Sequence, residues 1–242
     1  MIGIITNVLA VITGGILGTV FSKRISRDFA DKLNGIMGVC SMGMGIFSIM
    51  VMENMTAVII SLVAGTALGL LLHLGDKILS AAKLLQRPVA KLCPPFEGDE
   101  AAQASYMSLL LTAVVLFCAS GTGIYGCIDA GMTGNPSILL SKSVLDLFTA
   151  MVFACSLGAV TSVIAIPQFV IFACLFLAAK LIYPLTTPAI INDFKACGGF
   201  LLLATGLRMT RIKEFPIADM IPAMVLVMPL SGLWSAYVVS LL

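Results

Sequence analysis

Residues 2–22 read IGIITNVLAVITGGILGTVFS and contain no charged side chain. An α-helix of about 20 apolar residues is long enough to cross the hydrocarbon core of a bilayer. Residues 163–183, VIAIPQFVIFACLFLAAKLIY, form a second run of this kind, with a single lysine near its end. Because these runs do not alternate between apolar and polar residues, they predict membrane-spanning helices and not the strands of a transmembrane barrel.

The composition of the whole chain extends this prediction. Hydrophobic residues make up 60% of the 242 residues and charged residues only 11%, whereas a soluble domain is about one quarter charged. We therefore predict an all-α polytopic membrane protein with about eight transmembrane helices, since helices satisfy their own backbone in lipid. The apolar runs cover residues 2–22, 33–52, 55–74, 105–127, 138–160, 163–183, 194–210 and 216–241.

Basic residues cluster in three of the loops between these runs. They are Lys23, Arg24, Arg27 and Lys32 in the first loop, Lys77, Lys83, Arg87 and Lys91 in the third, and Arg208, Arg211 and Lys213 in the last. With eight spans, all three loops fall on one side, which the positive-inside rule assigns to the cytoplasm. We therefore expect a protein of the bacterial cytoplasmic (inner) membrane with both termini outside. Since the first basic cluster follows the first apolar run, we expect that run to be a retained helix and not a cleaved signal peptide.

The order of the runs predicts four parts of the chain. These are a first three-helix membrane unit at 1–75, a cytoplasmic amphipathic linker at 76–104, a central Gly-rich helix pair at 105–162 and a second three-helix membrane unit at 163–242. IITN at 4–7 and AIPQ at 165–168 each open a span, and D-F pairs at 28–29 and 193–194 follow those spans. Because the matching spans are five apart, the two units would form an inverted repeat, which is typical of secondary transporters. Chance matching of short apolar segments is the alternative.

The linker contains a candidate for a short helix at the membrane surface. Lys83, Arg87 and Lys91 recur every four residues and therefore share one helix face. Such a face could be lipid-facing and bind anionic head groups. An ordinary interfacial linker explains the same residues, and we favour that interpretation.

A glycine-rich segment ends the fourth apolar run. Gly121, Gly123 and Gly126 match the letters G-x-G-x-x-G, but a dinucleotide site needs a preceding strand and a βαβ unit around it. Glycine weakens a helix, so these residues predict a helix break near Ser120, with an external loop after them. A break at membrane depth would expose backbone groups and the hydroxyl of Thr122 to a cavity. Close helix packing through small residues explains the glycines equally well.

Asp146 is the acidic residue that lies most clearly inside an apolar run. Carboxylates inside a membrane are costly, and they usually mark ion pathways or ion pairs. Lys142 lies one helical turn away, so the two side chains could instead form a structural pair near the outer surface. Ser143 lies at spacing three from Asp146 and is a further candidate ligand.

Other polar residues within the spans are candidate ligands for the same site. Counting depth along each span places Asn7, Thr122 and Asp146 in the outer half, where they could converge. The same count places Gln168 in the inner half. A polar side chain in a membrane helix often makes only an interhelical hydrogen bond, which is the alternative for each of them.

No other pattern indicates catalysis or a metal site. The seven cysteines form no C-x-x-C pair, and most lie in apolar runs as small hydrophobic residues would. No nucleophile can be placed beside a base and no phosphate-binding loop is present, so we expect neither an enzyme nor a bound cofactor. The net charge of +2, held between apolar runs, also argues against a nucleic-acid partner.

Three segments resemble a known family. They are the opening TNVLAVITGGILG, the central GxxDAGMTGN followed by KSVLDLFTAMVFACSLG, and the late CGGFLLLATGLRM and IPAM. They are similar to the bacterial membrane family called domain of unknown function 554, the YdfK/YqgA-type proteins. The resemblance runs nearly end to end and implies a polytopic membrane fold, but no particular activity. The chain departs from the family pattern at Thr122 and Leu147, where a proline and a glycine are expected, and in lacking a glycine beside Gln168.

The function that these observations predict is transport of a small ion or polar solute by alternating access. Asp146 would bind a monovalent cation or a proton, with oxygen ligands from the polar residues named above. The alternative is a non-transporting scaffold, or a sensor of lipid or of a partner, that uses the basic face of the linker. The expected partners are the lipid bilayer, a small ion or solute, and a second copy of the chain in a homodimer.

Overall fold

The computed structural model describes residues 1–22, 24–91 and 100–238, without the side chains of residues 27, 87, 88 and 91. Throughout this described part the regular structure is helical. The α-helices are α1 Ile2–Phe21, α2 Arg27–Ile49, α3 Met55–Leu71, α4 Leu74–Lys91, α5 Glu100–Cys118, α6 Gly121–Thr133, α7 Ser137–Leu157, α8 Val160–Val163, α9 Ala165–Ile182, α10 Pro188–Met209 and α11 Ile217–Leu233. A 3-10 turn at Tyr183–Leu185 follows α9, and a π-helical turn at Trp234–Val238 follows α11.

The apolar helices confirm the predicted membrane architecture. Seven helical stretches of the described chain are long and apolar enough to span a bilayer, and the bent pair of α3 and α4 makes eight if it counts as one span. The two helices of that pair meet at 60°. The bend lies at His73, directly after Leu72. The φ of His73 is +50°, in the left-handed region, and this conformation interrupts the helix. The chain is therefore an all-α polytopic membrane protein.

The linker differs from a helix resting on a membrane surface. In α4, Ala82 and Val89 are buried in an apolar cluster that includes Leu110 and Ala113 of α5. The side-chain amide of Gln86 donates to the backbone carbonyl of Met107. The apolar face of α4 thus packs against protein. Lys83 is exposed, whereas the side chains of Arg87 and Lys91 lie outside the described residues.

The helices group into two compact units, and each unit is discontinuous in sequence. The first comprises Met1–Asn34 and Ile78–Ala178, and the second comprises Gly35–Lys77 and Ala179–Leu242. Each unit therefore combines an early segment of the chain with a late one. The inverted repeat and the boundaries at 1–75, 76–104, 105–162 and 163–242 stay predictions.

In the first unit, α1 lies parallel to α7 at very short range. Gly3 faces Leu139 near the start of both helices, and Gly18 faces Met151 near their ends. A Cβ atom on Gly18 or on Gly14 would collide with a backbone carbonyl of α7, so the close approach requires glycine at both positions. The chain reverses after α7, and Ser162 then donates a 3.0 Å hydrogen bond to the carbonyl of Ile12. Therefore α9 returns antiparallel to α1.

The second unit uses small residues in the same way. Gly65 and Gly69 of α3 face the backbone of Ala223 and Asp219 of α11. Gly45 of α2 lies against the carbonyl of Gly199 in α10. In lipid, no hydrophobic effect drives helices together, so they associate through such close packing. The packing also fixes the register of each pair.

Candidate functional site in the first unit

Three helices of the first unit bring four polar side chains together. Asn7 comes from α1, Lys142 and Asp146 from α7, and Gln168 from α9. Their exposed fractions are 0%, 3%, 5% and 0%, respectively. We call these four residues the Asp146 cluster. It joins residues that are far apart in sequence, from three helices that are mostly apolar.

One carboxylate oxygen lies at the centre of the cluster. Oδ2 of Asp146 accepts hydrogen bonds from Nδ2 of Asn7 at 2.9 Å and from the ammonium of Lys142. Nε2 of Gln168 lies 3.5 Å from the same oxygen and donates to Oδ1 of Asn7 at 2.7 Å. The single negative charge is therefore surrounded by three nitrogen donors, one of which carries a positive charge.

Lys142 and Asp146 form a buried ion pair one turn apart on α7. The Nζ atom of Lys142 also lies 6.0 Å from the centre of the Phe172 ring, within the range of a cation–π interaction. Burying two charges costs desolvation energy that their attraction offsets only in part, so such a pair is weak evidence for stability. The predicted pairing is present in the structure, at a buried position.

Apolar residues cover the Asp146 cluster on both sides along each helix. One turn to either side of the polar residues, the side chains are apolar and at most 1% exposed: Ile4, Leu139 and Phe172 on one side, Val11, Ala150 and Ile164 on the other. The two sets belong to separate apolar clusters. The charged pair thus lies in a polar layer between two apolar layers.

The cluster contains a polar atom that its surroundings do not satisfy. Oε1 of Gln168 is buried and has no hydrogen-bond partner among the described residues. A buried acceptor without a partner costs about 1–3 kcal/mol, which is why such atoms are rare and call for an explanation. The oxygen belongs to the same amide whose nitrogen already bonds Asn7.

The position of Gln168 corrects the sequence prediction, which placed it in the inner half, away from Asn7. The predicted sixth span begins at residue 163, but the chain already reverses at Gly158, whose φ of +67° ends α7. The return path is therefore about five residues longer, which at 1.5 Å per residue shifts Gln168 by about 7.5 Å. That shift moves it toward the depth of Asn7, with which it forms a hydrogen bond.

The other two predicted ligands do not join the cluster. Ser143 is buried, but its hydroxyl donates to the carbonyl of Leu139 on its own helix at 2.7 Å. Thr122 is buried in α6 and makes no hydrogen bond to the cluster within the described residues. Of the predicted ion ligands, the structure brings together Asp146, Asn7 and Gln168.

The glycine-rich segment combines a break with close packing. The helix is interrupted at Ala119 and Ser120, and the hydroxyl of Ser120 caps the next helix by accepting from the amide of Gly123 at 3.2 Å. Gly121, Gly123 and Gly126 then lie inside α6, which continues to Thr133, so the loop expected directly after them begins only at Gly134. A Cβ atom on Gly123 would meet the ring of Phe172. Gly123 therefore lets α6 pack against Phe172, the ring that lies near Lys142.

A second buried carboxylate, in the second unit, was missed by the sequence interpretation. Asp193 of α10 has an exposed fraction of 0%. Its Oδ1 accepts from the backbone amides of Glu53 and Asn54, each at 2.9 Å. Its Oδ2 accepts from the side chain of Asn54 at 2.9 Å and from the hydroxyl of Ser231 at 2.6 Å. We call these residues the Asp193 cap, because they hold the carboxylate at the amino end of α3.

The sequence pattern around Asp193 was recognised, but the start of its helix was placed too late in the chain. The predicted seventh span begins at residue 194, whereas α10 begins at Pro188, with Thr187 as its capping residue. Asp193 therefore lies inside a helix and not in a loop. Asp129 was overlooked for a similar reason, since it is buried in α6, where a loop was expected.

The Asp146 cluster defines the chemistry that the first unit can perform. One carboxylate, one ammonium and two amides can hold a small charged or polar species by charge and hydrogen bonds. Among the described residues, no three His, Cys, Asp or Glu side chains converge as a metal-binding group would. The fold and this buried charged layer are those of a polytopic membrane protein with an intramembrane polar site.

The comparisons with known proteins identify the family. Residues 2–232 match the family described as protein of unknown function (DUF554), so the chain belongs to that family. It is 44% identical to the uncharacterized protein YqgA of Escherichia coli (strain K12) over 239 residues, which cover 98% of this chain and 99% of the relative. It is 28% identical to the uncharacterized membrane protein YdfK of Bacillus subtilis (strain 168), with 93% of each chain covered. No solved structure matches the chain.

Proposed function

We propose that this protein is a membrane transporter that moves a small ion or polar solute by alternating access through the Asp146 cluster. The observation that carries the proposal is the buried polar layer between two apolar layers. Ionisable residues inside a membrane are rare and generally line a substrate or ion pathway. A charged pair placed for stability alone would gain little at this depth.

The two apolar layers provide the barriers that alternating access requires. A transporter must expose its site to one side of the membrane at a time. Displacing the layer of Ile4, Leu139 and Phe172 would open the cluster on one side and leave Val11, Ala150 and Ile164 closed. Displacing the other layer would do the reverse. In the described conformation both layers are closed, which corresponds to an occluded state.

The interrupted helix offers a hinge for one of these movements. Because α6 lies against Phe172 through Gly123, a rotation about Ala119 and Ser120 would move one apolar layer. Irregular backbone at membrane depth persists only where protein or a cavity covers it, and it commonly serves binding or movement. The break therefore supports a gate on the Phe172 side.

The helix directions support an inverted repeat as the basis of the transport cycle. Asn7 and Gln168 occupy corresponding positions of the two predicted repeat units, and they bond to each other at 2.7 Å. Their helices, α1 and α9, run in opposite directions. Inverted repeats of transporters place their shared site at such an interface of antiparallel elements.

Reconstitution into liposomes tests the proposal. Flux or charge movement is measured for a panel of ions and small polar solutes with the native protein and Asp146→Asn. The matched control is Asp28→Asn, which changes an exposed aspartate paired with Lys32. We expect at least one solute to be moved by the native protein and the control but not by Asp146→Asn. Equal flux through the native protein and Asp146→Asn for every solute would refute transport through this site.

The remaining expectations on location and assembly belong to the same proposal. The protein would lie in the bacterial cytoplasmic membrane with both termini outside, because its basic loops would then face the cytoplasm. Assembly into a homodimer is a separate part of the proposal. Reporter fusions should place Arg211 inside and Asn135 outside. The alternative of a lipid sensor would depend on charges such as Lys83 alone, since the apolar face of α4 is covered by protein.

A further inference from the structure

We infer that the Asp146 cluster binds one monovalent metal cation and that the Lys142 ammonium competes with that cation for the carboxylate. The inference rests on the proposed function for its role in transport, but the binding itself can be measured without transport. It assigns to the site both its ligand atoms and the chemical class of its occupant.

The charges in the cluster select a monovalent cation. The ion pair of Asp146 and Lys142 is electrically neutral as a unit, and the other two members are uncharged amides. A cation of charge +1 can replace the ammonium beside Asp146, and the displaced ammonium is then the one uncompensated charge, which lies near the Phe172 ring. A divalent ion would leave two uncompensated positive charges in a buried layer, where each is very costly.

The ligand atoms that we assign are the carboxylate of Asp146 and two amide oxygens that the ammonium does not contact. Oε1 of Gln168 is buried and unpartnered, and Oδ1 of Asn7 accepts from Gln168. Together with the carboxylate of Asp146 they form a set of carboxylate and amide oxygens, which suits hard cations and not thiophilic metals. A bound cation would satisfy the oxygen of Gln168, which explains why a polar atom is kept there at an energetic cost.

Lys142 is suited to act as a competitor because it is tethered one turn from Asp146. Its ammonium is a compact charge on a flexible stem, and it occupies the carboxylate when no cation is bound. The Phe172 ring, 6.0 Å away, offers an alternative surface for the displaced ammonium. Cation binding is therefore weak in the native protein and becomes stronger when the ammonium is removed.

Thermal unfolding of the purified full chain tests this inference. The melting temperature is followed with sodium, potassium, lithium or magnesium chloride against choline chloride at constant ionic strength. We expect a stabilising shift with at least one monovalent metal ion but not with magnesium. In Lys142→Met the half-saturating concentration should fall about tenfold or more, because coupling between close charges of about 1.5 kcal/mol corresponds to that factor. Lys213→Met removes an exposed lysine and should respond as the native protein does.

Two further variants keep the test decisive if Lys142→Met folds poorly. Gln168→Glu retains the ion pair and adds a carboxylate at the unpartnered oxygen, so it should also bind the cation more tightly. Asp146→Asn combined with Lys142→Met should lose the response. The inference would be overturned if Lys142→Met and Gln168→Glu responded to the cation no more strongly than the native protein does. It would also be overturned if magnesium produced an equal response. Transport of a solute without cation binding would overturn it and leave the proposed function intact, whereas cation binding without any flux would support the site and refute transport.

Discussion

The two units each bury an aspartate inside an apolar helix, but they satisfy it in different ways. Asp193 accepts four hydrogen bonds, two of them from backbone amides at the start of α3. Asp146 is held by side chains from three helices, and one of them is a lysine. Backbone donors cannot leave without unfolding a helix end, whereas side-chain donors can rotate away. The comparison supports our proposal that the Asp146 cluster is an exchangeable site, whereas the Asp193 cap has the contacts of an anchor.

The largest expected effect comes from removing the anchor. Asp193→Leu leaves four donors without their acceptor, and each buried unsatisfied group costs about 1–3 kcal/mol. Because domains are stable by only about 5–15 kcal/mol, we expect little folded protein. Fluorescence-detected size-exclusion chromatography of a fusion measures the folded yield. A monodisperse Asp193→Leu protein with native thermal stability would break the comparison, because Asp193 would then not be an anchor.

A smaller loss of stability is expected at the Asp146 cluster, and a second substitution should restore much of it. Asp146→Asn strands the buried ammonium of Lys142, and breaking one half of a buried ion pair costs about 3–5 kcal/mol. Adding Lys142→Met removes the stranded charge and should restore much of the loss. A double-mutant cycle on the melting temperature measures the coupling. Additive losses in the double variant would show that the two side chains are not energetically coupled.

The smallest effects distinguish single hydrogen bonds in the two regions. Ser231→Ala removes one of the four bonds to Asp193 and should cost about 1 kcal/mol, with no change in transport per folded molecule. Gln168→Leu deletes an unsatisfied oxygen and also removes the hydrogen bonds that its Nε2 donates to Asn7 and Asp146. We expect it to lose no more stability than Ser231→Ala, whereas cation binding is lost. Melting temperatures and cation titrations of both variants provide the check. If Gln168→Leu were the less stable of the two and still bound cations normally, Gln168 would be structural.

The sequence predicted the membrane helices and the ion pair because both are local. Apolar runs define spans directly, and Lys142 and Asp146 are paired by their spacing on one helix. Gln168 and Asp193 could not be placed correctly, since their depth depends on where neighbouring helices begin. The reversal at Gly158 lies inside the predicted fifth span, and the start of α10 at Pro188 lies before the predicted seventh span. Hydropathy alone does not locate such ends when a turn is apolar or a helix start is polar.

The packing of glycines shows the same limit. Gly14 and Gly18 were visible as small residues, but nothing in their spacing specified α7 as the partner helix. Likewise, the glycines from Gly121 onward suggested both a break and close packing, and the structure contains both, displaced by one turn from each other. Pairing between distant segments depends on tertiary contacts that local patterns do not encode.

The most direct test of the exchangeable site compares cation exchange by the native protein with that by one stable variant that lacks the site. Liposomes containing the native protein, Ser231→Ala, or the combination of Asp146→Asn and Lys142→Met are loaded with unlabelled sodium or rubidium, and exchange with the radioactive ion outside is followed. The combined variant should remain folded, because it carries no stranded charge. We predict exchange by the native protein and Ser231→Ala, and none above empty liposomes by the combined variant. Exchange by the combined variant at the native rate, or none by the native protein with either ion, would contradict the assignment of the Asp146 cluster as the site of cation transport.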